Sequence, residues 1–172
     1  MNAGVEVSRV EDHAGLLTDQ KAALYLNYEG PLQSSGMLQL YRVKEHFDGV
    51  TYDLNHGFFF FNVRPTGDVT CSIHVRSGDA IDYENSRKAR KLSGGPEGTL
   101  NVGRHLAFAM EHEFEQLDVD GGRLYRANLT QLKAVYQFNV RTFARAIVHY
   151  LNVRRDPSLY ADAIDAKTER VF

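Results

Sequence analysis

The sequence predicts an α+β fold: an antiparallel meander of about four to five strands over residues 22–76, with one face packed by C-terminal helices. Three observations lead there. The first half alternates apolar and polar residues between turn signals, the second half carries apolar residues at spacings of three and four, and a breaker-rich segment separates the two. The whole reads as a single domain, 1–172, with an exposed basic and glycine-rich loop at about 84–99.

The strands come first. Ala22–Glu29 alternates Leu24, Leu26 and Tyr28 against Ala23, Tyr25 and Asn27, and Gly30-Pro31 ends it. Asp48-Gly49 lies between two alternating runs, the favoured chemistry of a two-residue hairpin. Folding there pairs Phe47 with Val50, Glu45 with Tyr52 and Val43 with Leu54, and sets Lys44 opposite Asp53 as an ion pair. Pro65-Thr66-Gly67 suits a three-residue loop that pairs Val63 with Val69, Phe61 with Cys71 and Phe59 with Ile73. A tight turn at His56-Gly57 would join the two hairpins. Tyr52, Leu54, Phe59 and Phe61 then share an apolar face. Phe58 and Phe60 stand on the other face, with Asp53, Asn55, Arg64, His74 and Arg76.

The helices occupy the second half. Leu106, Met110, Phe114 and Leu117 predict an amphipathic helix over about 102–117. Asp120-Gly121-Gly122 stops it. Asn128 is a good N-cap for a long helix over about 129–153, with a wide apolar stripe from Leu132 to Leu151. Asp156-Pro157 opens a short last helix through about 166.

Composition bounds the function. The 172 residues are 43% hydrophobic and 24% charged with a net charge of -2, an ordinary globular balance without the basic excess of a dedicated nucleic-acid binder. The single cysteine, Cys71, excludes an intramolecular disulfide framework and fits a reducing compartment. The polar N-terminal stretch has no apolar core of a signal peptide, and no apolar run reaches the length of a spanning helix. The expectation is a cytoplasmic, intracellular protein without a membrane partner.

Motifs that would carry chemistry are few. His105 and His112 lie seven apart, not one helical turn apart, so no metal site is expected. Asp118-Val119-Asp120-Gly121 begins like a calcium loop but lacks the later ligands. No cofactor motif occurs, so no cofactor is expected. Ala23–Asn27 and His56–Val63 resemble the two short motifs of the RNA recognition motif. The resemblance covers about a dozen residues, and three adjacent strands from Tyr41 to Val75 leave no room for the helix that should come after the second motif.

The functional expectation is a non-enzymatic binding or assembly module. It would self-associate, as a homo-oligomer or with a protein partner or as a subunit of a larger particle, through the polar-aromatic sheet face. The residues assigned to that surface are Phe58, Phe60, Asp53, Asn55, His74, Arg64, Arg76, Arg87, Lys88, Arg90 and Lys91. One alternative is nucleic-acid or polyanion binding through Phe58, Phe60 and the 87–91 basic loop. The other is a small enzyme using His74 and Asp53 as an acid–base pair.

Overall fold

A computed structural model of the chain describes residues 1–11, 17–160 and 162–172. They form a ten-stranded antiparallel sheet in which every strand pairs with its sequence neighbours. The strands are β1 (Asn2–Glu11), β2 (Leu17–Gly30), β3 (Ser34–Phe47), β4 (Val50–Thr66), β5 (Val69–Asp82), β6 (Arg87–Val102), β7 (Leu106–Val119), β8 (Gly122–Asn139), β9 (Thr142–Arg155) and β10 (Lys167–Val171). One turn of 3-10 helix, Pro157–Leu159, is the only helical element among the described residues.

The α+β expectation is therefore overturned. The predicted helix over 102–117 is β7 with the turn before it, and that over 129–153 is most of β8 and β9. The physical reason is that a spacing of four is common to both periodicities. Leu106, Met110 and Phe114 recur every four residues, which suits a helix, but also lie on one side of a strand, where Phe108 joins them. The long stripe from Leu132 to Leu151 mixes residues from both faces of a hairpin that turns at 140–141. The predicted last helix, 157–166, shrinks to its first turn. There the Asp156 side chain accepts from the Ser158 N–H at 3.1 Å, as its cap role requires; residue 161 lies outside the described residues. The loop expected at 84–99 is a turn and then β6, whose glycines and Pro96 sit within a paired strand.

The first half matches the sequence more closely. Asp48 and Gly49 both take positive φ (50° and 76°), the mirror-type turn that suits strand twist, and Phe47↔Val50, Glu45↔Tyr52 and Val43↔Leu54 pair as expected. Lys44 and Asp53 form an ion pair at 3.8 Å. The second hairpin turns two residues later, so Val63 meets Cys71, Phe61 meets Ile73 and Phe59 meets Val75. The turn expected at His56-Gly57 does not form. Both residues are extended within β4, opposite Tyr41 and Leu40. Strand parity is consequently never reset, and that single fact redistributes the side chains between the two faces.

Packing is thin. The buried apolar residues fall mainly into two small clusters, Tyr52–Leu54–Ile81 and Ala89–Leu117–Leu124. The exposed surface is 11480 Å², whereas a compact monomer of 19.5 kDa exposes roughly 8,500 Å². One layer of sheet has no second layer on which to close a core.

Candidate functional surface

The informative geometry is the contrast between the two faces of the sheet. Across β4–β9 one row of directly paired residues reads Val63, Cys71, Gly98, Met110, Leu132, Val148. Each position's immediate neighbour in sequence belongs to a second row: Asn62, Ser72, Glu97, Glu111, Gln131, His149. A shift of one residue converts a wholly apolar row into a wholly polar one in six consecutive strands. Side chains alternate faces along a strand, so the two rows lie on opposite sides.

The apolar side continues across the first strands as Ala3, Leu26, Leu38, Phe59 and Val75. These side chains are uncovered: Leu132 is 50% exposed, Phe108 43% and Phe59 41%. Along β6 the same face reads Leu92, Gly94, Pro96, Gly98, Leu100, Val102 with no polar residue. On β7 and β8 the face is interrupted by His112 and Thr130, which bond each other at 2.8 Å (Nδ1 to Oγ1), and past them it carries Asn128, Gln116 and Arg126. Beyond the band the face turns polar, with Arg42, Lys44, Asp53 and Asn55 at one end of β3–β4.

The polar side holds its own pairings. His74 Nε2 lies 3.0 Å from Glu113 Oε2, and Lys91 Nζ lies 2.6 Å from Glu115 Oε2. Tyr125 donates to the same Glu115 at 2.5 Å. The Arg76 guanidinium sits over the Phe58 ring at 5.5 Å, and Tyr41 stacks on His56 at 4.8 Å.

The residues assigned from sequence divide between these surfaces. Phe58, Phe60, His74 and Arg76 share the polar side, with Phe58 opposite Arg76 and Phe60 opposite His74. Asp53 and Asn55 lie on the opposite side, because β4 runs through His56 without turning. Phe59 and Phe61 leave Tyr52 and Leu54 for the same reason and join the uncovered apolar face. His74 and Asp53 thus do not converge: His74 pairs with Glu113, which sequence reasoning missed, and Asp53 with Lys44. Arg64 donates to the Gly67 carbonyl at 2.8 Å.

The 87–91 run is not a free basic loop. Arg87 pairs with Asp82 at 2.8 Å, Lys88 with Asp79 at 3.0 Å and Lys91 with Glu115, while Arg90 stands opposite Asp79 and Asp118 in the ladder. The signal that finds these partners is the hairpin register, and reading 84–99 as a loop hid it. Cys71 is exposed on the apolar side.

Among the described residues no group of three or more His, Cys, Asp or Glu is arranged to hold a metal ion. No helix among them is long and apolar enough to cross a membrane. Comparison with protein-family models, with curated proteins and with solved structures gives no match.

Proposed function

We propose that this chain is wall material of a β-barrel seated in a lipid bilayer, with the Met110–Leu132–Val148 face against lipid and the Glu97–Glu111–Gln131 face toward water. The observation that carries the reading is the pair of rows one residue apart, apolar on one side and polar on the other through six strands. Alternation belongs to any antiparallel sheet with one covered face, and in strands that cross a membrane the apolar band is about 25 Å tall. The apolar stretch of β6 from Leu92 to Val102 is ten residue steps, roughly 33 Å of strand. At a tilt of about 40° this spans roughly 25 Å.

Two further features support it. The surface in excess of a compact monomer's is one that water would penalise and lipid would cover. The strands run mostly 14 to 18 residues, longer than the usual 5–6 of globular sheets. The missing spanning helix does not bear on this, since strands cross by satisfying their backbone groups sideways.

The assembly role expected from the sequence persists in altered form. β1 and β10 each have one unpaired edge in the ten-stranded sheet, and a bilayer does not tolerate an open edge. The reading therefore requires those edges to pair, with each other or with strands outside this sheet. Association through edges replaces association through the polar-aromatic face.

Cys71 and Ser72 supply the test, being adjacent residues on opposite faces. A nitroxide on Cys71, in the chain reconstituted into phosphatidylcholine vesicles, is expected to be relaxed by oxygen and shielded from a water-soluble nickel chelate. A label at Ser72→Cys in a Cys71→Ser background is expected to show the reverse. Equal nickel access at both positions, or a chain recovered only in the aqueous fraction, sinks the proposal.

A further inference from the structure

The molecule's tightest packing is local. The clusters Tyr52–Leu54–Ile81 and Ala89–Leu117–Leu124 lie toward one end of the sheet. A cavity of about 630 Å³ lies there, with Leu54, Ile81 and Leu117 all in its lining. That volume is in the range of small-molecule sites. The cavity is bounded by the described sheet alone, so a ligand there is independent of the bilayer reading.

Its apolar floor is formed by those three side chains, and Tyr41, Tyr83 and Tyr125 supply aromatic wall. The charges around it are mostly spoken for. Among the lining carboxylates, Glu45 accepts from the Tyr83 hydroxyl at 2.9 Å, Asp82 is held by Arg87 at 2.8 Å and Asn85 at 2.9 Å, and Asp79 by Lys88 at 3.0 Å and the Asn55 N–H at 3.0 Å. Lys91 is held by Glu115. Arg76 differs: it lies against the face of Phe58, and it has no carboxylate within ion-pair distance among the described residues. A ring face engages the guanidinium plane and leaves its edge donors without an acceptor.

An apolar floor, aromatic walls and one charged fork define a ligand. We infer that this cavity binds a small aromatic or branched carboxylate, its body on Leu54, Ile81 and Leu117 and its carboxylate on the Arg76 guanidinium. Arginine suits this task because its paired donors match both oxygens of a carboxylate. A neutral amide of the same shape offers one acceptor and no charge.

The test uses the full chain in neutral detergent micelles, with protein-free micelles as blank. Binding of 4-fluorophenylacetate and of the neutral 4-fluorophenylacetamide is monitored by fluorine resonance. Saturable binding of the anion is expected, with the amide at least about tenfold weaker, as loss of a charge-assisted hydrogen bond implies. Arg76→Gln is expected to weaken the anion by a similar factor and leave the amide unchanged, while Arg76→Lys retains part of the preference. Lys167→Gln, which removes a cation engaged by Glu169 outside the cavity, is expected to change anion binding less than twofold. Equal binding of anion and amide by the unaltered chain overturns the inference, as does absence of saturable binding. An anion preference that survives Arg76→Gln overturns it too.

Discussion

The two faces of this sheet share a backbone, a set of turns and a hydrogen-bond ladder, yet they are different materials. On the polar side, side chains find one another: His74 with Glu113, Lys91 and Tyr125 with Glu115, Arg76 with Phe58. On the apolar side, Leu132, Phe108 and Phe59 meet no second layer. The difference teaches that the sheet is specified on one side by internal pairing and on the other by whatever medium covers it. A one-residue slip would exchange the two sides entirely, so both faces defend the same register.

The comparison is broken most directly by moving one charge across the sheet. Leu132→Arg is expected to cost about 2–4 kcal/mol in vesicles, the penalty for a cation in the middle of a lipid-facing band. Gln131→Arg, one residue away but opposite Glu111, is expected to lie within about 1 kcal/mol of the unaltered chain. Urea unfolding of both variants in the same vesicles measures it. Equal costs would remove the distinction between the faces.

Two glycines of β6 sharpen the comparison next. A Cβ on Gly95, on the polar side, would come within 1.5 Å of the His112 carbonyl oxygen, whereas one on Gly98, on the apolar side, meets nothing nearer than the Thr70 carbonyl at 3.7 Å. Gly95→Ala is expected to lose about 1–3 kcal/mol through overpacking. Gly98→Ala should be neutral, or stabilising by about 0.5 kcal/mol through reduced freedom of the unfolded chain. A calorimetric or urea midpoint series orders the two, and a costly Gly98→Ala would contradict an open apolar face.

Smaller effects belong to exposed polar contacts. His74→Ala removes a partly exposed contact with Glu113, and the expected loss is at most about 1 kcal/mol, with insertion into vesicles unchanged. A failure to insert would mean that the polar face directs assembly. The smallest effect belongs to the loop between β9 and β10. Bonds from the Ser158 hydroxyl and then the Ser158 N–H hold the Asp156 carboxyl below its ordinary value of 3.8. A carboxylate depressed in the folded state contributes above its unfolded value and loses that contribution as pH falls through the folded one. Amide exchange at Ser158 is expected to accelerate below about pH 4 in the unaltered chain and to be flat with pH in Asp156→Asn after correction for intrinsic rates. A flat profile in the unaltered chain would remove the cap from the account.

Legibility in the sequence was uneven for identifiable reasons. The Asp48-Gly49 hairpin was readable because its turn residues admit few conformations and its flanks alternate strictly. The Asp156-Pro157 start was readable for the same kind of reason, though not how short the element after it would be. The stretch from 87 to 155 misled, since spacings of four fit both helix and strand, and since Gly94, Gly95 and Pro96 look like a break when read alone. In the sheet they occupy a strand whose close neighbour, the His112 carbonyl, leaves no room for a side chain at Gly95. Besides the loop reading of 87–91, the candidate surface suffered from an error of parity on β4. One extra turn at His56-Gly57 moved Asp53 and Asn55 beside Phe58 and Phe60, and placed Phe59 and Phe61 in a core.

The sequence by itself determined where several chain reversals fall and that apolar and polar residues alternate between them. Those are local properties, set by the φ values a residue tolerates and by the period of two. Only the tertiary structure decided that Leu106, Phe108, Met110 and Phe114 form a strand, and that β4 carries one parity from Val50 to Val63. Both depend on hydrogen bonds to neighbouring strands, Met110 against Gly98 and Leu132, and Gly57 against Leu40 and Ser77. Pairing between strands joins residues 12 to 22 positions apart here, beyond the spacings of three and four on which the helix reading rests.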